Sequence, residues 1–130
     1  MRNKYCYFWV IVAFLTNVSC LNRQFIEGRA ELISTSDTML NDSSMFIGHV
    51  THIDMENLYI PAEIWIENTN YKTTIDSAGN YVLKTLPGTY TIKCQTKWNT
   101  WNQLVEEKNK VEISKNKKIK IDFYLGYTVE

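Results

Sequence analysis

The chain has 130 residues, of which 45% are hydrophobic and 22% charged, with 14 basic side chains against 14 acidic ones. That length holds one domain with one core. The charge balance excludes the basic patch on which nucleic-acid binding depends, so no nucleic-acid partner is expected.

At the N-terminus Arg2 and Lys4 precede the apolar run Tyr5 to Leu15, too short for a membrane-crossing helix of about 20 residues. Residues 1–19 therefore read as a signal peptide. The run ends in Thr16-Asn17-Val18-Ser19-Cys20, and a small residue followed by cysteine resembles the lipobox of bacterial lipoproteins, which implies lipidation of Cys20 after cleavage. Asn17 stands where that motif usually has an aliphatic residue, so plain secretion remains the alternative. Cleavage removes Cys6, Arg2 and Lys4 and leaves 111 residues with 12 basic and 14 acidic side chains. With Cys20 acylated no intrachain disulfide can form. Cys94 is then expected as a small apolar side chain within a strand, since no histidine stands near it in sequence to serve as its base.

Residues 20–44 are rich in Ser, Thr, Asn and Asp after Thr35 and read as a tether, although Phe25 to Ile33 carry enough apolar residues to add a strand or a helical turn. The Asn41-Asp42-Ser43 sequon has meaning only in a eukaryotic secretory pathway. From Met45 onward, short runs of period-two alternation recur between turn residues, the pattern of a sandwich or barrel. Phe46–Ile53 is the first run, and Leu58–Glu67 the second, with Pro61 interrupting its start. In that second run Ala62, Ile64 and Ile66 point one way while Glu63, Trp65 and Glu67 point the other. Tyr71–Ile75, Tyr81–Thr85, Thr89–Thr96, Gln103–Ser114 and Lys118–Leu125 complete seven expected strands. Lys115 to Lys120 read as a solvated strand face, with lysines that discourage edge-to-edge pairing.

Two reversals punctuate the middle of the domain. Asp76 can bond its side chain to backbone amides further on and Gly79 tolerates positive φ, so Asp76–Asn80 should turn the chain. Pro87-Gly88 has the composition of a type II turn, with Gly88 at positive φ. Reversals this close together suit a seven-stranded Greek-key sandwich, which would span residues 45–126 and leave 127–130 as a C-terminal tail.

Four stretches followed by a last strand carry a resemblance. Ile47-Gly48-His49-Val50, Pro61 to Ile66, Thr74 to Tyr81, Leu86-Pro87-Gly88-Thr89-Tyr90 and then Ile119 to Leu125 resemble, in that order, the carboxypeptidase regulatory-like domain. The likeness covers about Met45 to Leu125 and implies a prealbumin-like (transthyretin-like) sandwich in a small envelope lipoprotein of Bacteroidetes type. Ala62 stands alone where the family usually has Gly-Ala, and Trp98 to Trp101 replace a Gly-aromatic pair.

The resemblance implies no catalysis here. A zinc-peptidase partner domain needs a His-x-x-Glu site and several hundred residues, and the related hydroxyisourate hydrolases end in Tyr-Arg-Gly-Ser, whereas this chain ends Tyr124-Leu125-Gly126-Tyr127-Thr128-Val129-Glu130. His49 and His52, the only histidines, stand three apart and face opposite sides of a strand, so they cannot jointly ligate a metal without a bulge, although His52 and Asp54 could share a face. No cofactor and no metal are expected. The remaining chemical content is aromatic: Trp65 projects from a polar strand face, and Trp98 and Trp101 sit beside Asn99 and Asn102. Such indoles stack on sugar rings, anchor a protein partner, or cap the core. The expected function is a noncatalytic accessory module that binds an envelope protein or polysaccharide, anchored in the outer membrane by its lipid and facing the periplasm. The alternative is a small secreted or periplasmic hydrolase on the same scaffold.

Overall fold

The computed structural model describes residues 24–97 and 105–129. Among the described residues ten strands follow one another: β1 Gln24–Ile26, β2 Arg29–Asp37, β3 Ser44–His52, β4 Ala62–Ile66, β5 Lys72–Thr74, β6 Asn80–Thr85, β7 Gly88–Thr96, β8 Val105–Ile113, β9 Lys117–Leu125 and β10 Tyr127–Val129. Eight of them make two four-stranded sheets, ordered β2-β9-β3-β6 and β5-β4-β7-β8, while β1 and β10 form a short ribbon. No helix occurs among the described residues. The chain changes sheet between β3 and β4, β5 and β6, β6 and β7, and β8 and β9.

The alternation read from the sequence is the alternation of burial. Along β3, Ser44, Phe46, Gly48, Val50 and His52 are buried while the residues between them are half-exposed. Ala62, Ile64 and Ile66 of β4, Ile92 and Cys94 of β7, and Ile119, Ile121, Phe123 and Leu125 of β9 meet them in one core. Tyr81 leans against Phe123 at 6.1 Å between ring centroids, and Tyr90 stands edge-on to Phe46 at 6.3 Å. Ser44 and His52 are the buried polar side chains of β3; the Ser44 hydroxyl shares a hydrogen bond with that of Thr85 at 2.8 Å and His52 Nε2 bonds the Thr96 hydroxyl at 3.0 Å, so among the described residues no buried side-chain polar atom is left orphaned.

The turn at Asp76–Asn80 forms as its residues dictate. Asp76 Oδ1 accepts the amides of Ala78 and Asn80, each at 2.9 Å, and Gly79 adopts φ +88°. Pro87-Gly88 differs from expectation. Positive φ is confined, among described glycines, to Gly79; Gly88 is already extended and pairs with Ile113 as the first residue of β7. The chain is crossing from one sheet to the other there, so no tight hairpin is needed. The corner is closed by Tyr90, whose hydroxyl donates to the Leu86 carbonyl at 2.7 Å.

Further differences follow from how the strands pair and from where they begin. Residues 29–37, inside the expected tether, form β2, which lies antiparallel against β9 and brings the sandwich to eight strands where seven were expected. β1, in the same stretch, pairs with β10, formed by residues 127–129 of the expected tail. β9 is accordingly an interior strand, with β2 on one side and β3 on the other, so Lys118 and Lys120 are a solvated face without being an edge. The second run begins only at Ala62: Leu58 and Tyr59 are exposed in the loop before it, because Pro61 has no N–H to give a ladder.

Candidate functional site

The inner face of the β5-β4-β7-β8 sheet is consumed by the core, so its chemistry lies on the outer face. Ala62, Ile64 and Ile66 take the inner positions of β4, which leaves Glu63 and Trp65 outside and half-exposed. Strand register then fixes their neighbours. Trp65 lies opposite Lys72 of β5 on one side and Lys93 of β7 on the other. Lys93 in turn lies opposite Glu107 of β8, and Glu63 lies between Thr74 and Gln95.

This face is ordered by modest ion pairs. Lys93 Nζ stands 3.5 Å from Glu67 and 3.9 Å from Glu107, and Lys97 Nζ 3.7 Å from Glu63. Exposed pairs at such lengths contribute on the order of 0–1 kcal/mol and mainly hold side chains in place. The β4–β5 turn is tied down more firmly. Thr69 donates through its hydroxyl to the Ile66 carbonyl at 2.9 Å and accepts the Tyr71 amide at 3.1 Å, with Asn68 at φ 62°. Between this turn and the end of β7 lies a depression of about 630 Å³, lined by Glu63 and Trp65 of β4, by Asn70, Tyr71 and Lys72 on the β5 side and by Gln95 and Lys97 on the β7 side. An indole beside amides, hydroxyls and ammonium groups is suited to stacking an apolar ring face and bonding its polar periphery.

Of the aromatic residues singled out above, Trp65 alone is placed; Trp98 and Trp101 lie outside the described residues, as does Cys20. Lys97, the residue before Trp98, lines the same depression as Trp65. The lining from Asn70 to Lys72 could not be read from sequence, because alternation says which face a residue takes but not which strand lies beside it.

A second hollow of about 320 Å³ opens at the end of the sandwich where the β3–β4 and β5–β6 loops meet, lined in part by His49, His52, Leu58, Tyr59 and Ile75. The two histidines face opposite sides of β3, as their spacing requires. His49 Nε2 bonds the Ala78 carbonyl at 2.8 Å, and His52 Nε2 bonds the Thr96 hydroxyl at 3.0 Å. Among the described residues no three His, Cys, Asp or Glu side chains stand together as metal ligands. Cys94 is fully buried, and burial pushes its thiol well above the ordinary range, which favours the protonated, unreactive form.

Burial lowers the pKa of His52. The unfolded chain, titrating near 6.5, takes up this proton before the folded protein does. The sign is that stability is full above about pH 6.5 and declines as pH falls through the lower folded value. Glu106, raised by burial and by nearby Glu27 and Glu107, acts in the opposite sense, so the variant comparison isolates His52. Urea midpoints at pH 7.5 and pH 5.5 should differ less in His52→Gln than in the wild type; an equal difference would remove His52 as a source of acid sensitivity.

Comparison of the chain with protein-family models, with curated proteins and with solved structures finds no match in any of the three. What stands is an all-β, two-sheet sandwich domain of about 105 residues with a Trp-bearing depression on one outer sheet face.

Proposed function

We propose that this protein is a noncatalytic cell-envelope lipoprotein whose sandwich binds a polysaccharide on the outer face of the β5-β4-β7-β8 sheet. The observation that carries the reading is the position of Trp65: half-exposed, in a depression, with polar side chains around it. A buried tryptophan would serve the core alone, and the β4 core positions are already filled by Ala62, Ile64 and Ile66. Stacking on a sugar ring uses the indole face, while amides such as that of Asn70 suit the ring hydroxyls.

The carboxypeptidase regulatory-like reading is supported by the chain order of the elements. Gly48, the Asp76–Asn80 turn and the Tyr90-closed corner at Leu86 all fall within the stretches that carry the resemblance. A Greek-key, prealbumin-like sandwich is also in keeping with the repeated change of sheet along the chain. Anchoring rests on Cys20 and its preceding residues. A single acyl chain holds a protein only marginally, so outer-membrane retention requires the more than one chain that bacterial lipoproteins carry.

One experiment tests both halves. Wild type, Cys20→Ser and Trp65→Ala are expressed with the native leader in a bacterial host, the membranes are fractionated, and binding to envelope polysaccharide is measured by affinity electrophoresis. Wild type should sit in the outer-membrane fraction facing the periplasm, and Cys20→Ser should become soluble. Trp65→Ala should stay anchored and folded but bind the glycan about thirtyfold or more weakly, in line with the about 2 kcal/mol or more of an aromatic anchor. Retardation unchanged by Trp65→Ala overturns the contact surface, and capture of a protein instead of a glycan overturns the ligand class.

A further inference from the structure

We propose that the Trp65 depression selects sugar units that carry an anionic group, either a uronate carboxylate or a sulfate ester, and that Lys72 supplies the selectivity; this rests on the glycan reading above. The charged side chains around the depression on this sheet face are unevenly paired. Lys97 is matched with Glu63, and Lys93 is shared between Glu67 and Glu107. Lys72 forms no ion pair among the described residues, yet it is the cross-strand neighbour of Trp65 and lines the same depression.

Its place in the fold keeps that ammonium available. β5 is a three-residue edge strand, so Lys72 is bordered by β4 on one side and by no further strand of its sheet on the other. The side chain is exposed, and the register places it level with the indole. A ring stacked on Trp65 therefore has a positive charge at its edge, on the side away from Lys93. Lysine is a mobile point charge with three donors, which suits a carboxylate or a sulfate oxygen without demanding a fixed fork geometry. A neutral sugar would leave this charge without a counterpart, so it would bind through Trp65 and the amides alone.

Purified protein is titrated calorimetrically with three oligosaccharides of matched length: cellohexaose, an oligogalacturonate and a sulfated galactan fragment. At least one anionic chain should bind about fivefold tighter than the neutral one at low salt, a margin of the size an exposed charge-assisted contact supports, and that margin should shrink with added sodium chloride. Lys72→Gln should bring the anionic chains down to the affinity that the same variant shows for the neutral one, while Lys72→Arg should keep the margin. Which anionic chain responds identifies the substituent. Equal affinity for neutral and anionic chains, or a margin untouched by Lys72→Gln, overturns the anionic selectivity while sparing the glycan reading. Absence of binding to all three chains, with envelope polysaccharide likewise unbound, overturns both.

Discussion

Phe46→Ala is expected to remove most of the domain's stability. Phe46 is fully buried in β3, pairs across β6 with Leu83 and across β9 with Ile119, and meets the ring of Tyr90 edge-on. Truncation would forfeit the transfer energy of the ring, leave a cavity between the sheets, and cancel the aromatic contact, about 3–5 kcal/mol in all. A domain of this size is stable by only about 5–15 kcal/mol, so the loss takes a large share of the total. The control lies one residue further along the same strand pair. Ile47 lies opposite Val82, which is 54% exposed on the outer face, and Val82→Thr should shift the urea midpoint by an amount within about 0.5 kcal/mol. Comparable losses from the two variants would refute the two-faced reading of β3 and β6.

That two-faced reading was legible because most of the core strands keep strict alternation over their whole length. β3, β4, β6 and β9 do so, and in β4 the sequence assigns Ala62, Ile64 and Ile66 to the inner face that they take. β2 and β8 do not. Register slips by one residue between Leu32 and Ser34 in the β2–β9 pair, leaving Ile33 as the extra residue. In β8 the slip lies across Asn109 and Lys110, with Lys110 at φ 52°. A bulge exchanges inside for outside partway along a strand, so the hydrophobic period is broken where the backbone pairing continues. β2 hides itself further by burying little: beyond Glu31 every residue of it is exposed, and its attachment to β9 rests largely on backbone pairing that composition does not reveal, supplemented by Arg29 on the Tyr124 ring and Asp37 with Lys117. The candidate site was legible to the same degree. Trp65 could be assigned to an outer face from its own strand, while its placement between Lys72 and Lys93 depends on which strands flank β4, a matter of topology.

Gly48→Ala should destabilise as strongly as a core truncation, for the opposite reason of overcrowding. β3 and β9 run parallel and pair from Met45 with Lys118 to Ile47 with Lys120, and again from Val50 with Phe123 onward. Between those points the usual ladder is replaced by side-chain bonds. The His49 amide donates to Asp122 Oδ1 at 2.9 Å, and the Ile121 carbonyl accepts the buried Tyr81 hydroxyl at 2.5 Å. That hydroxyl is held protonated by burial, which raises its pKa strongly. A Cβ on residue 48 would fall onto the Ile121 carbonyl oxygen and within 2.8 Å of Tyr81 Cε1. Neither can yield cheaply, since one is backbone of an interior strand and the other is fixed by its hydrogen bond and by Phe123. Overpacking typically costs about 1–3 kcal/mol and more where backbone must move; the added loss of a buried hydrogen bond, about 1–3 kcal/mol for the orphaned carbonyl, brings the expected total to about 3–5 kcal/mol. Tyr81→Phe separates the two contributions. It deletes the hydrogen bond without adding volume, so it should cost only the smaller part, and in the double variant the cost of Gly48→Ala should fall because the hydroxyl anchoring the ring is gone. Equilibrium urea unfolding of the four proteins measures this cycle. Additive losses would show that Gly48 is not needed to admit the tyrosine, and the close approach of β3 to β9 would then require another cause.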